Sequence, residues 1–289
     1  MAKTFEYSMK IPFDMSDVNG YIKIPQLILL SLQVSGMQSI ELGMSDMYIL
    51  ENYNLVWIIT DYHMKIERLP VFDEKITIET YAKSHNRLFC YRAFNIKDEE
   101  GNTIIEMVAT FVLMDRDTRK VHPVMSEITD AFDSEFSKTM LRGPRFKELE
   151  GGVEQEYRVR FYDLDMNGHV NNSKYLDWVF EVMGADFLTH HVPKKVHLKY
   201  VKEVLAGGVI TSQYEQEGLK TQHQITSDGQ INAQAEIEWE NNTTSACIKY
   251  KYALTLPFIN FPPKIFFLIF APSFKTQNSS ISGFARKYS

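Results

Sequence analysis

The chain has few cysteines, no apolar run at its start and no excess of basic charge. Cys90 and Cys247 are the only two cysteines among 289 residues. So few, so far apart, make neither a disulfide scaffold nor a zinc site, and no metal or cofactor is expected. The opening MAKTFEYSMKIPFD lacks the roughly 7–15-residue apolar core of a secretory signal, so a cytoplasmic location is expected. Lys and Arg number 31 against 37 Asp and Glu, a formal charge of −6. A nucleic-acid partner is therefore not expected, because a basic face is its usual footprint. The most apolar stretch, PFINFPPKIFFLIFAPSF from Pro257, is broken by Pro262, Pro263, Lys264 and Pro272. It falls short of the roughly 20 residues that span a bilayer, so no membrane association is expected, and residues 256–289 read as a disordered, appended or partner-docked tail.

What is present is an internal repeat. FDMSDVNGYIKIPQLILLSLQVSGM from Phe13 matches FYDLDMNGHVNNSKYLDWVFEVMGA from Phe161 without a gap. Asp17 meets Asp165, Asn19 meets Asn167, Gly20 meets Gly168 and Gly36 meets Gly184, each 148 positions on. In both copies a turn-rich loop leads into a helical pattern. Pro25 suits a first helical turn, where its missing N–H costs nothing. Leu27, Leu30, Val34 and Met37 then share a face. In the second copy Asn171, Asn172 and Ser173 offer capping oxygens, and Tyr175, Leu176, Val179, Val182 and Met183 make the apolar face.

Strand patterns follow each helix, several alternating apolar and polar residues as half-buried strands do. In the first half they cover 55–60, 62–69, 75–84, 88–97 and 103–115, with a hairpin turn at EEGN (99–102). In the second they cover 195–201, 209–216, 220–227, 231–240 and 245–254. One long helix lying on an antiparallel sheet, twice, is an α+β architecture. The expected division is a first domain at 1–125, a linker with a short helix at 126–150, and a second domain at 151–255.

Asp165, Asn167 and His169 alternate in DLDMNGHVNN, so an extended backbone would set them side by side. They precede a helix N-terminus, whose free N–H groups favour developing negative charge. Acyl transfer needs such donors, because a carbonyl oxygen becomes an oxyanion. A polar turn is the plain alternative, Asn, Asp and Gly being common in loops. The repeat weighs against it, for the first copy keeps Asp-x-Asn-Gly but has Tyr21 where the second has His169. Similarly, MKIERLP (64–70) matches LKYVKEV (198–204), and Glu203 stands where the first half has Leu69. One half looks active and the other supporting.

At these residues the sequence resembles the acyl-ACP thioesterases, a family of tandem hotdog domains. RVRFYDLDMNGHVNNSKYLDWV (158–179) is similar to the family's catalytic segment, and YVKEV (200–204) to its glutamate segment. WIITDYHMKIERLPVFDEKITIETY (57–81) and FVLMDRDTRKVHPV (111–124) extend the likeness through the first half. The resemblance implies hydrolysis of a fatty acyl thioester on acyl carrier protein, with Asp165, Asn167, His169 and Glu203 catalytic. Some members carry a cysteine after the glutamate; here it is Val204, so no thiolate can act there.

The resemblance also implies an acyl tunnel beneath the first helix, with Leu27, Leu30, Val34, Met37 and Trp57 as candidate liners. Plain core is an equal reading for them. Acyl carrier protein is acidic, so Lys83, His85, Arg87 and Arg92, or Arg142 and Arg145, are candidates for a basic docking patch, with Arg87 foremost. An acyl-CoA thioesterase, a dehydratase on the same carrier and a noncatalytic acyl-chain sensor are the rival functions. Two halves in one chain can supply the pair that single domains make by dimerising, so a monomer or a homodimer is expected.

Overall fold

A computed structural model describes residues 2–166 and 168–243. The first half runs β1 (Thr4–Lys10), a 3-10 turn (Phe13–Met15), α1 (Ile24–Glu41), α2 (Asp46–Tyr53), β2 (Leu55–Ile66), β3 (Lys75–His85), β4 (Phe89–Lys97), β5 (Thr103–Asp115) and β6 (Val121–His122). After α3 (Ser126–Ala131) the second half repeats the plan. It runs β7 (Val153–Arg158), a 3-10 turn (Phe161–Asp163), α4 (Asn172–Glu181), α5 (Ala185–His190), β8 (His191–Tyr200), β9 (Val209–Glu217), β10 (Lys220–Ser227) and β11 (Gln230–Asn241). The strands form one sheet in the order β1-β3-β4-β5-β2-β8-β11-β10-β9-β7, with β6 beside β5. All strand pairings are antiparallel, and β2 against β8 joins the halves.

The helices follow their sequence signals. Pro25 lies in the first turn of α1, and the Asn171 side chain caps α4 by accepting the Ser173 N–H. In α1, Leu27, Ile28, Ser31, Val34 and Gln38 are buried at spacings of three and four, one face of a helix pressed on the sheet. α4 is shorter than the expected long helix, ten residues against eighteen in α1. One core runs through both halves, from Ile11 and Leu27 to Val204 and Trp239.

Several expectations are corrected. Residues 55–60 and 62–69, read as two strands, belong largely to the single strand β2, whose register on β5 slips between Ile59 and Asp61. α2 and α5 were not expected. Neither were the edge strands β1 and β7: β1 alternates Phe5, Tyr7 and Met9 with polar residues but went unread, and β7 is almost wholly polar and exposed. The strand expected at 245–254 and the tail at 256–289 lie outside the described residues. Among the described residues no single helix is long and apolar enough to cross a membrane.

The second half buries an imidazole with a clear consequence for stability. His223 on β10 is buried, with Nε2 against Thr221 Oγ1 at 2.8 Å and no partner for Nδ1 among the described residues. Burial pushes its pKa down to about 3. Above its ordinary value near 6.5 both folded and unfolded chains hold a neutral ring; below it the unfolded chain takes up a proton that the folded one refuses. Stability therefore falls as pH drops from 6.5 towards 3, by on the order of 2 kcal/mol per site at pH 5. Urea midpoints at pH 7 and pH 5 should show this loss, and His223→Gln should roughly halve the difference, the buried His197, lowered to about 4, supplying the rest. An unchanged pH dependence in that variant would remove His223 as the cause.

Candidate active site

The two Asp-x-Asn-Gly segments fold alike. In the first, the Asp17 carboxylate accepts the N–H groups of Asn19 and Tyr21 at 2.8 and 3.0 Å, and Asp17 N–H donates to Tyr21 O. In the second, Asp165 Oδ1 accepts the His169 N–H at 3.1 Å, Asp165 N–H donates to His169 O, and Gly168 N–H donates to Asp165 O. Gly20 and Gly168 turn the chain at φ 81° and 80°, a left-handed conformation that glycine adopts without strain. The segment is thus a tight turn closed by Leu164 against Val170, not an extended run. Asp165 and His169 face each other across it instead of lining up along it. Local Asx bonding outcompetes extension in such a polar, glycine-containing stretch. Asn167 lies outside the described residues.

Glu203 follows β8 in a loop tied to its surroundings from two sides. The Val204 N–H donates to Tyr175 Oη of α4 at 3.0 Å, and Asn232 of β11 donates through Nδ2 to Glu203 O at 3.3 Å. Burial pushes the Tyr175 hydroxyl up to about 12, so it stays neutral in this role. Val204 itself is buried in the core. These ties bring Glu203 Oε2 to 3.9 Å from His169 Nε2, longer than a hydrogen bond, with both side chains about two-fifths exposed.

The third member of the cluster went unread in the sequence. Arg119, from the first half, donates through Nη2 to Glu203 Oε2 at 2.6 Å. It stands in the turn after β5 with φ 58°, in a loop tightened by Arg119 N–H to Asp115 O and by Thr118 onto the Asp115 carboxylate. Oε1 of Glu203 has no partner among the described residues. Arg119 lies inside the 111–124 segment, but only the tertiary fold carries it 84 positions to Glu203.

A cavity of about 240 Å³ lies between α1, the first-half sheet and α3. Leu32, Ser35, Gly36 and Ser39 of α1 line it at helical spacing, facing Trp57, Ile59 and Phe111. Asn172, three positions after His169 at the start of α4, lines it too, so the cavity reaches the end of the His169 loop. Of the expected liners only Trp57 is on its wall. Leu27, Leu30 and Val34 are core between helix and sheet, Met37 is half-buried, and neither Met37 nor Arg87 lines the cavity. The cavity faces the next stripe around α1, whose small residues leave the room.

Two further expectations are corrected. Arg92 is buried at the cavity, not on a docking surface: it donates to Thr80 Oγ1 and Gln38 Oε1 and lies over the Phe132 ring. Burial lowers its pKa to about 10. Lys83, Arg87, Arg142 and Arg145 are exposed, while His85 is half-buried with Nδ1 on Ser134 Oγ. The N–H groups of Gly168, His169 and Asn171 are all engaged within the loop, so they are not spare oxyanion donors. Cys90 lines the cavity, and burial pushes its thiol up to about 12, far from a nucleophilic thiolate.

The sequence pattern described as "Acyl-ACP thioesterase N-terminal domain" matches residues 2–132, and "Acyl-ACP thioesterase C-terminal domain" matches 146–241. The oleoyl-acyl carrier protein thioesterase 2 of Arabidopsis thaliana is 26% identical over 183 residues, 59% of this chain and 50% of that protein. The dodecanoyl-[acyl-carrier-protein] hydrolase of Umbellularia californica is 28% identical over 214 residues, 67% of this chain and 55% of that protein. The chain thus spans about half the length of the curated relatives it matches. A solved structure named as an oleoyl thioesterase from Lactobacillus plantarum superimposes with a TM-score of 0.78 at 28% identity, covering 83% of this chain and 97% of that one. The 12:0-ACP thioesterase from Umbellularia californica, at 19% identity and a TM-score of 0.74 over 83% of this chain and 98% of that one, shares the tandem hotdog fold.

Proposed function

Because this chain belongs to the acyl-ACP thioesterase family, we propose that it hydrolyses the thioester between a fatty acyl chain and acyl carrier protein, releasing free fatty acid. The observation that carries the reading is the cluster of His169, Glu203 and Arg119 near a cavity that ends at Asn172. An acyl chain would lie along Trp57, Ile59, Phe111 and Leu32, and the thioester would meet the cluster. In this reading residues 1–125 hold the chain, 151–255 supply the chemistry, and the 126–150 linker connects them. The setting is the cytoplasm, where fatty acyl synthesis on a carrier would be terminated.

Water is the attacking group. Arg119 holds Oε2 of Glu203, leaving Oε1 for a solvent molecule, and the partial exposure of both side chains lets water in. Glu203 takes a proton from that water, and the hydroxide adds to the thioester carbonyl. The tetrahedral intermediate then expels the carrier's sulfur, which leaves with the proton. His169 orients the water or polarises the carbonyl, and Asp165 braces the turn through the His169 N–H. Asn167 is assigned to orient the carbonyl or the imidazole. Positioned acid–base groups contribute about 10²–10⁴-fold in such steps.

The direct test is thiol release from matched acyl-carrier and acyl-CoA substrates. The expected outcome is turnover chiefly of the carrier-bound esters. Equal or better turnover of the CoA esters would assign the protein to the acyl-CoA class instead. Binding of acyl chains with no thiol released from either would make it a sensor.

A further inference from the structure

We propose that Asp61, His63 and His197 form a site for a divalent first-row transition metal, Zn²⁺ foremost, on the seam between the two halves of the sheet. One possible donor atom from each of the three lies within 4.8 Å of the others. Tetrahedral zinc with bonds of about 2.0–2.1 Å sets its ligands roughly 3.4 Å apart and in the plane of each imidazole, so one of the two stacked rings must turn out of the stack to bind. Two imidazoles and a carboxylate leave one position for water. This inference does not depend on the thioesterase reading.

The repeat explains why the histidines meet. His63 and His197 are 134 positions apart, the same offset that aligns 64–70 with 198–204, so they are equivalent residues of the two halves. β2 and β8 are therefore equivalent strands, and their antiparallel pairing places His63 directly opposite His197. Tyr62, Met64, Val196 and Leu198 belong to the core, so by strand alternation the histidines emerge on the face away from it. Their rings stack with centroids 3.9 Å apart. Symmetry does not extend to the carboxylate: at the same offset Lys195 stands where the first half has Asp61, so the pair shares a single acid.

Three features distinguish this cluster from a stacked pair that merely fills the seam. First, one of its buried polar atoms has no partner. His197 is 9% exposed, and its Nδ1 has no hydrogen-bond partner among the described residues. His63 Nε2 lies 3.1 Å from Asp61 Oδ1, so that imidazole and the carboxylate are already in contact. Buried polar atoms without partners are uncommon and call for an explanation. Second, the carboxylate is held by outer contacts, as metal ligands are. Thr60 Oγ1 donates to Asp61 Oδ2 at 2.9 Å and Thr110 Oγ1 to Oδ1 at 3.1 Å. Third, there is an entry path and a cover. A cavity of about 350 Å³ adjoins the histidines, with Glu106, Glu236 and Glu238 on its walls beside Lys65 and Lys195, the latter paired with Glu238 at 2.7 Å. The linker crosses above, the Phe146 ring tilted against His197 with centroids 5.2 Å apart, while a Cβ at Gly143 would overlap the His197 ring. Burial, with the nearby His63 and Lys199, lowers the His197 pKa to about 4 although Asp61 opposes this, leaving the neutral ring that ligates metal.

The test uses the full chain, stripped with chelator and titrated with ZnCl₂ by calorimetry and with CoCl₂ by visible absorption. His63→Ala and Asp61→Asn serve as variants, with circular dichroism to verify their folding. The expected result is one Zn²⁺ per chain, a rise in Tm of a few degrees, and Co²⁺ bands lacking the strong charge transfer of thiolate ligands. Each variant should weaken binding at least about 10-fold, a perturbation metal sites show even for outer contacts. Thioester hydrolysis should persist in His63→Ala. No saturable uptake by the wild-type chain overturns the proposal. So does stoichiometric binding that survives in both variants, or a thiolate signature pointing to Cys90 or Cys247.

Discussion

Glu203→Ala should lower turnover of acyl carrier protein thioesters by about 10²–10⁴-fold, the loss expected when a positioned general base is removed. KM should change little if the acyl chain lies in the first-half cavity, as proposed, and is not held by the carboxylate. Folding should survive, since the Glu203 side chain is 39% exposed and its loop is tied by the Val204 N–H and the Glu203 carbonyl, which alanine retains. His169→Ala should fall in the same range, and the double variant should cost little more than either single change if the two act as a unit. Arg119→Ala is the informative companion. Exposed ion pairs add at most about 1 kcal/mol to stability, so the fold should be indifferent while turnover drops roughly 3–10-fold as Glu203 loses its orientation. A Glu203→Ala enzyme retaining more than a third of wild-type turnover would remove the carboxylate from the chemistry.

The second large effect concerns chain length. Gly36 lies on the cavity wall in α1, and nothing is within 4 Å of where its Cβ would stand. Gly36→Ala should therefore be accepted and should stabilise the helix by about 1 kcal/mol, since glycine is the poorest non-proline helix former. Gly36→Phe should instead fill a large part of a 240 Å³ space and exclude the longer substrates. A methylene lost from an apolar pocket is worth about 1–3 kcal/mol, or 10–200-fold, so kcat/KM for long chains should fall by at least one such step relative to short ones. Turnover of a panel of acyl carrier protein esters reads this directly. A uniform decrease across all lengths, with folding intact, would place the acyl chain elsewhere.

The sequence by itself determined the parts that depend on local pattern. Alternation located β3, β5, β9, β10 and β11 nearly to the residue, because a half-buried strand must place apolar side chains on one face. The repeated Asp-x-Asn-Gly turn was legible because Asx bonds close over four residues, and its two copies do share one hydrogen-bond scheme. The asymmetry of the halves, with His169 for Tyr21 and Glu203 for Leu69, singled out the residues that meet at 3.9 Å. Even there the local geometry was misjudged, since a turn and not an extended run presents them.

Only the tertiary structure decided what depends on pairing over long separations. The edge strand β7 carries almost no apolar alternation and exists because β9 offers it unpaired backbone, whereas β1 does alternate Phe5, Tyr7 and Met9 and pairs along β3. Which stripe of α1 faces the sheet and which faces the cavity depends on how the helix is rolled, so the apolar stripe became core and the small-residue stripe became the wall. Arg119 reaches Glu203, and His63 meets His197, through contacts spanning 84 and 134 positions that no local period records. Such contacts are set by the register of β2 on β8 and by the hand of the turn after β5. Both are collective outcomes of burying one core across two halves, and no short segment of the chain specifies them alone.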